Sequence, residues 1–167
     1  MIAAIASVDL ENGIGFKNQL LERIPQDLKN FKNLTLNHTV IMGVRTWESL
    51  PKKPLPYRKN IVVAREGYDV SNYDNVITMT LDEVKNWLNN PQTSRTEHIF
   101  VIGGGFIYKE LFSYCDTLYI TQIHKHHSDI DTYFPIIKKE EWNLDMISKF
   151  HNYNNTLYQF KYYSRKS

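Results

Sequence analysis

Three features of the sequence predict an α/β fold built on a mostly parallel, twisted sheet. Short β-rich runs alternate with helical patterns along the chain. Several runs, Ile99-Phe100-Val101-Ile102 above all, are continuously apolar rather than alternating, as strands are when helices cover both faces. The clearest linkers, 65–74 and 91–97, are too short to separate two units, so residues 1–167 read as one domain.

In chain order, a strand is predicted at 2–8, then a helix at 25–34, where Pro25 suits the first helical position because its missing N–H costs nothing there. A strand at 39–42 leads through a glycine into a short helix at 46–50, and strands follow at 60–63 and 75–79. A helix at 81–89, a buried strand at 98–102, a helix at 105–112 and a strand at 117–123 complete the central pattern. Two late strands near 142–150 and 156–163 read as an antiparallel hairpin with a loose loop, His151-Asn152-Tyr153-Asn154-Asn155.

Composition narrows the function. A hydrophobic fraction of 42% with 23% charged residues excludes wholesale disorder. Twenty basic against eighteen acidic residues leave +2, no basis for a nucleic-acid or membrane partner. The one cysteine, Cys115, cannot form an internal bridge and reads as a small core residue. The apolar stretch 2–6 is too short for a signal segment, and no window approaches a membrane span. A soluble, cytoplasmic, monomeric protein is the expectation.

Four segments carry residues suited to chemistry. Asp27 falls in the first turn of its helix, with Phe31 four residues on and Leu28 beside it: a carboxylate on an apolar wall, as a ligand pocket requires. The alternative is an acid that only satisfies free N–H groups of that turn. Gly103-Gly104-Gly105, between a buried strand and a helix, fits the approach of a phosphate to bare backbone N–H groups. It is neither the Rossmann fingerprint nor a P-loop, and a tight strand-to-helix turn is the plainer reading. Gly43 with Arg45 and Thr46 offers a second phosphate contact, and Arg58 a fork for a carboxylate; each also reads as a solvated loop. His124, His126, His127, Asp129 and Asp131 match no zinc spacing, so a solvated loop without metal is expected there.

Taken in order, these segments resemble dihydrofolate reductase. The resemblance rests on Asn12-Gly13-Ile14-Gly15, Pro25-Gln26-Asp27-Leu28, Phe31-Lys32, Val40-Ile41-Met42-Gly43 and Arg45-Thr46-Trp47-Glu48-Ser49. It continues through Leu55-Pro56, Arg58-Lys59-Asn60, Val101-Ile102-Gly103-Gly104-Gly105, Tyr108 and Asp131-Thr132-Tyr133-Phe134-Pro135. It implies an eight-stranded, mostly parallel sheet with about four helices, and an adenosine-binding portion at about 38–96. It also implies reduction of dihydrofolate by NADPH, with hydride to C6 and a proton to N5, in support of one-carbon and thymidylate metabolism. Diaminopyrimidine and pteridine antifolates would bind the same cleft.

The resemblance gives Asp27 and Thr121 the pterin's N3 and 2-amino edge. It gives Ile5 and Ile102 carbonyls bracketing a pterin amino group, with Leu28, Phe31, Leu50 and Tyr108 along the pocket. Arg58, helped by Lys32, would clamp the glutamate tail. Ser7 and Ile14 would offer backbone contacts to the nicotinamide carboxamide. Gly43, Arg45, Thr46, Gly104 and Gly105 would hold the pyrophosphate, with a cis Gly103–Gly104 peptide bond. Residues 9–23 match the loop that closes over the nicotinamide.

Two positions depart from the family pattern. Glu22 stands where a tryptophan is usual. Pointing inward, it would share one pocket with Asp27, couple the two titrations and join the catalytic set. Pointing outward, it would lie in solvent beside Arg23. Val44 and Phe106 replace residues that are often basic around the cofactor's 2′-phosphate, a charge that Arg65 is placed to supply. Competing readings are a riboflavin-pathway reductase, which leaves Asp27 beside Arg58 and Lys32 unexplained, and a non-catalytic nucleotide-binding relative, favoured only by Glu22.

Overall fold

The computed structural model describes all residues, Met1–Ser167. At its centre lies β1 (Ile2–Val8), flanked in parallel by β7 (Ile99–Gly103) and β8 (Thr117–Ile123). Beyond β7 follow β4 (Thr39–Gly43), β5 (Lys59–Val63) and β6 (Val76–Met79), all parallel. On the other side β12 (Thr156–Arg165) runs antiparallel to β8, and β10 (Trp142–Ile147) antiparallel to β12. The resulting path of eight strands is β10-β12-β8-β1-β7-β4-β5-β6, with β11 (His151–Tyr153) paired to β12 beside it.

The continuously apolar runs are explained by helices on both faces. Alternate residues of β1, β4, β5 and β7 enter two separate cores, since successive side chains of a strand point to opposite sides. Ile2, Ala4, Ile41, Ile61 and Val101 pack with Val84 and Leu88 of α3 (Leu81–Asn89) and with Ile107 and Leu111 of α5 (Gly105–Leu111). Ala3, Ile5, Val40, Met42, Val62 and Phe100 pack with Trp47 of α2 (Val44–Ser49) and with Phe31 and Leu34 of α1 (Pro25–Thr35). Every residue of β4 is buried, so Ile41→Ala would remove about 2–5 kcal/mol through lost contacts and a cavity. A capping box, Thr80 with Glu83, fixes the start of α3.

Two expectations are corrected, at 91–97 and at 151–155. The 91–97 linker contains a helix, α4 (Pro91–Thr96), whose first turn Asn90 caps through the Gln92 N–H; with it the helices number five, followed by a 3-10 turn at Phe112–Tyr114. The supposed loose loop at 151–155 is mostly β11, closed by a two-residue turn in which Asn154 and Asn155 both take positive φ. Ser148 keeps the preceding break tied to β12, its N–H donating to Phe160 O and its hydroxyl accepting from Phe160 N. Within 9–23 lie β2 (Gly13–Phe16) and β3 (Gln19–Leu20), which form a second small sheet with β9 (Thr132–Tyr133).

Candidate active site

A cleft of about 1870 Å³ opens at the carboxyl ends of β1, β4, β5 and β7, where open α/β sheets bind ligands. Pockets for a single drug-sized ligand measure roughly 300–1,000 Å³, so this cleft has room for two. Ile5, Leu28, Phe31, Lys32, Leu50, Arg58, Ile102 and Tyr108, expected on the substrate side, all line it. So do Ser7, Ile14, Gly43, Arg45, Thr46, Arg65, Gly103, Gly104 and Gly105 from the cofactor side.

Asp27 projects from the first turn of α1 onto the ends of β1 and β8. Thr121 Oγ1 donates to its Oδ1 at 2.5 Å, and the Ser7 hydroxyl donates to its Oδ2. Burial pushes the Asp27 carboxyl up, and the two hydroxyls pull against that shift. No salt bridge involves it. Thr121 therefore reaches the cleft through Asp27. The Ser7 hydroxyl contact was not foreseen: a serine in a strand gives no signal until the strand is placed under α1.

Arg58 is buried, 6% exposed, beside Phe31 at the far end of α1. Its Nε donates to Pro56 O at 2.9 Å and its Nη1 to Thr35 Oγ1 at 3.1 Å, which sets the plane of the fork and leaves donors for an anionic ligand. The Tyr108 hydroxyl donates to Ile5 O at 2.6 Å, so that carbonyl is already partly engaged.

The opposite end of the cleft is backbone-rich. Adjacent strands β4 and β7 end in glycines that lead directly into α2 and α5, and neither helix start has a side-chain cap. Free N–H groups there suit an anion between them. Gly103 has φ of +118° and the Gly103–Gly104 bond is cis. A Cβ at Gly105 would clash with Thr132 Cγ2, so a side chain there would have to displace Thr132. Arg45 and Arg65 are exposed at this end, with Val44, Ala64, Tyr68 and Phe106 between and around them. The residues present thus fit a dinucleotide, with bare backbone for phosphates and cations at the rim.

Loop 9–23 reaches across the mouth of the cleft. Asn18 Nδ2 donates to Arg45 O at 3.2 Å, Lys17 N to Asp131 Oδ2 at 2.9 Å and Asp131 N to Gly15 O at 3.1 Å. Lys17, Asn18, Gln19, Leu20 and Arg23 line the cleft, none of them singled out by the sequence.

Glu22 does not line the cleft, and the inward orientation is corrected. Its Oε1 accepts from Lys125 Nζ at 2.8 Å and faces His127 Nε2 at 3.0 Å. The Lys125 hydrogen bond is the main reason its carboxyl lies below the usual range. His127 is not solvated as expected: its side chain is 13% exposed and its Nδ1 faces buried Asp9 Oδ2 at 3.1 Å. Asp9 also accepts from the backbone N–H of Gly13, Glu11 and His127. Burial pushes the Asp9 carboxyl up, but those bonds outweigh it and hold the group below the ordinary value. His124 faces Gln159 at 2.8 Å and His126 faces Glu11 at 3.3 Å. Cys115 is buried as expected, its thiol pushed up to about 12 by burial. No helix is long and apolar enough to cross a membrane.

The family model described as Dihydrofolate reductase matches residues 1–165. Dihydrofolate reductase of Bacillus subtilis (strain 168) is 39% identical over 144 residues, 86% of this chain and 81% of that protein. Dihydrofolate reductase of Buchnera aphidicola subsp. Acyrthosiphon pisum is 39% identical over 141 residues, 82% of this chain and 80% of that protein. A bifunctional dihydrofolate reductase-thymidylate synthase of Daucus carota is 37% identical over 139 residues, 75% of this chain but 26% of that longer protein.

Proposed function

This chain belongs to the dihydrofolate reductase family and is an oxidoreductase that reduces dihydrofolate; on that premise we propose that it uses NADPH, with Asp27 as the substrate's anchor. The observation that carries the reading is one carboxylate, gripped by two hydroxyls, on the apolar wall of a two-ligand cleft. An ionised carboxylate there takes the amidine-like edge of a pterin through two charge-assisted hydrogen bonds. It also favours positive charge developing on the reacting ring, where low polarity strengthens the interaction. Arg58 and Lys32 face the far end of the same helix, as an anionic tail on the substrate requires.

When bound, the dinucleotide supplies the hydride. The chain's own part at that end is to hold phosphates on the helix starts after Gly43 and Gly104, and to exclude water with loop 9–23. Arg65 provides the charge beside apolar Val44 and Phe106, and this supports NADPH over NADH. A cytoplasmic monomer is part of the same proposal.

The test follows loss of reduced-nicotinamide absorbance on adding dihydrofolate. Wild type should turn over. Asp27→Asn removes the charge but not the shape, and should lower kcat/KM by about 10- to 100-fold, the worth of one charged hydrogen bond. Equal turnover by the two proteins overturns the assignment of Asp27. Arg65→Ala should lower kcat/KM with NADPH roughly tenfold and leave NADH unchanged; an equal loss with both cofactors would place Arg65 elsewhere than at the 2′-phosphate. Glu22 pairs with Lys125 and His127 and adds no second charge beside Asp27, which supports the catalytic reading.

A further inference from the structure

The residue facing Asp27 from β1 has a role beyond the backbone contact assigned to it by resemblance. Ser7 and Thr121 are register partners across the parallel β1–β8 pair, so their side chains emerge side by side on the same face of the sheet. Asp27 descends onto that pair from α1. Each hydroxyl takes a different carboxylate oxygen, Thr121 the Oδ1 and Ser7 the Oδ2. A carboxylate oxygen has lone pairs for two acceptor bonds, so each keeps a site for a ligand N–H after binding its hydroxyl.

We propose that the Ser7 side chain is a positioning residue for Asp27, forming with Thr121 a two-strand fork that fixes the plane of the carboxylate before substrate arrives. One hydroxyl alone would leave the carboxylate free to rotate about its last torsion, which has no sharp staggered preference. Two donors on separate strands remove that freedom, and the strands are held rigidly by the sheet.

The fork acts on charge as well as on orientation. A hydroxyl that donates to the ionised form stabilises it, whereas burial stabilises the neutral form. The other groups facing Asp27 are neutral phenols: Tyr108 from α5 and Tyr158 from β12, each of which feels its charge. No cation from any neighbouring element pairs with it. The two hydroxyls are thus the side-chain donors that favour the ionised form against burial.

This inference rests on Asp27 as the substrate's anchor, yet its test does not require turnover. The carboxyl carbon of Asp27 is followed by carbon-13 NMR as pH is varied, its signal identified by loss in Asp27→Asn. In Ser7→Ala the midpoint should lie about one pH unit above wild type, the usual effect of removing one hydrogen bond to a carboxylate. Ser7→Thr, which restores the hydroxyl, should return it towards the wild-type value. Thr121→Val should raise the midpoint similarly, and the double variant should exceed either. Superimposed titrations for wild type and a folded Ser7→Ala protein, checked by its melting curve, overturn the proposal. If wild type fails to reduce dihydrofolate while the midpoints still separate, the functional reading falls and the fork stands.

Discussion

At position 22, the partners of the side chain decide what the residue does. Glu22 is tied to Lys125 and His127 on the flank of the molecule, so its charge does not meet that of Asp27. The pH–rate profiles of wild type and Glu22→Trp should therefore superimpose, whereas two coupled carboxylates would separate them. The contribution of Glu22 lies in stability. Its carboxyl is depressed in the folded protein, so the stabilisation is full above the ordinary carboxylate range and is lost as pH falls through and below it. A half-exposed pair of this kind is worth about 0.2–1 kcal/mol. Urea titrations at neutral pH and near pH 3 should show Glu22→Gln less stable than wild type only in the first condition. Asp27 was legible in the sequence because the acid sits in a local pattern of proline, leucine and phenylalanine, whereas Thr121 came from the resemblance alone. The direction of Glu22 was not legible, since its partners lie more than a hundred residues away in a loop whose histidines fit no metal spacing.

For loop 9–23, His127 is a strut. Both ring nitrogens face carboxylates, which only accept, so both contacts are hydrogen bonds when the ring carries two protons. Through Asp9, which holds the Gly13 and Glu11 amides, the strut fixes the root of β2. His127→Ala should speed hydrogen exchange of the amides at 11–17 by roughly three- to tenfold, as expected for a lost hydrogen bond worth about 0.5–1.5 kcal/mol. Amides of β4 should be unaffected, and uniform acceleration of both would show global destabilisation instead. The short strands β2 and β3 were invisible in the sequence: they are four and two residues long, β2 carries two glycines, and β2 also pairs with β9, far away in the chain. The helix α4 could have been read, because Asn90-Pro91 is a cap followed by a first-position proline. The polar composition of that stretch hid it.

Across the whole molecule, the sheet is closed on one side by a single cation. Arg165 donates to Cys115 O at 2.7 Å and Phe112 O at 2.9 Å, and lies 4.2 Å from the centre of the Trp142 ring. It joins the end of β12 to the turn after α5 and to the edge strand β10. Arg165→Ala leaves Cys115 O without its donor, leaves Phe112 O with the Cys115 N–H alone, and removes the cation–π contact, so it should cost about 1–3 kcal/mol in urea unfolding. The eight strands of the main path were legible as β-rich runs, and the parallel class from the lack of alternation in several of them. The order of the strands was not, because nothing local tells β1 to sit between β7 and β8. That placement bears on how the chain is made. β1 precedes the other strands in the sequence yet lies at the centre of the sheet, and both of its partners are translated about a hundred residues later. At roughly 5–20 residues per second, the nascent β1 waits on the order of ten seconds with both edges bare. Synthesis must outrun misassociation, and faster elongation or a chaperone that shields the emerging segment should raise the yield of native enzyme.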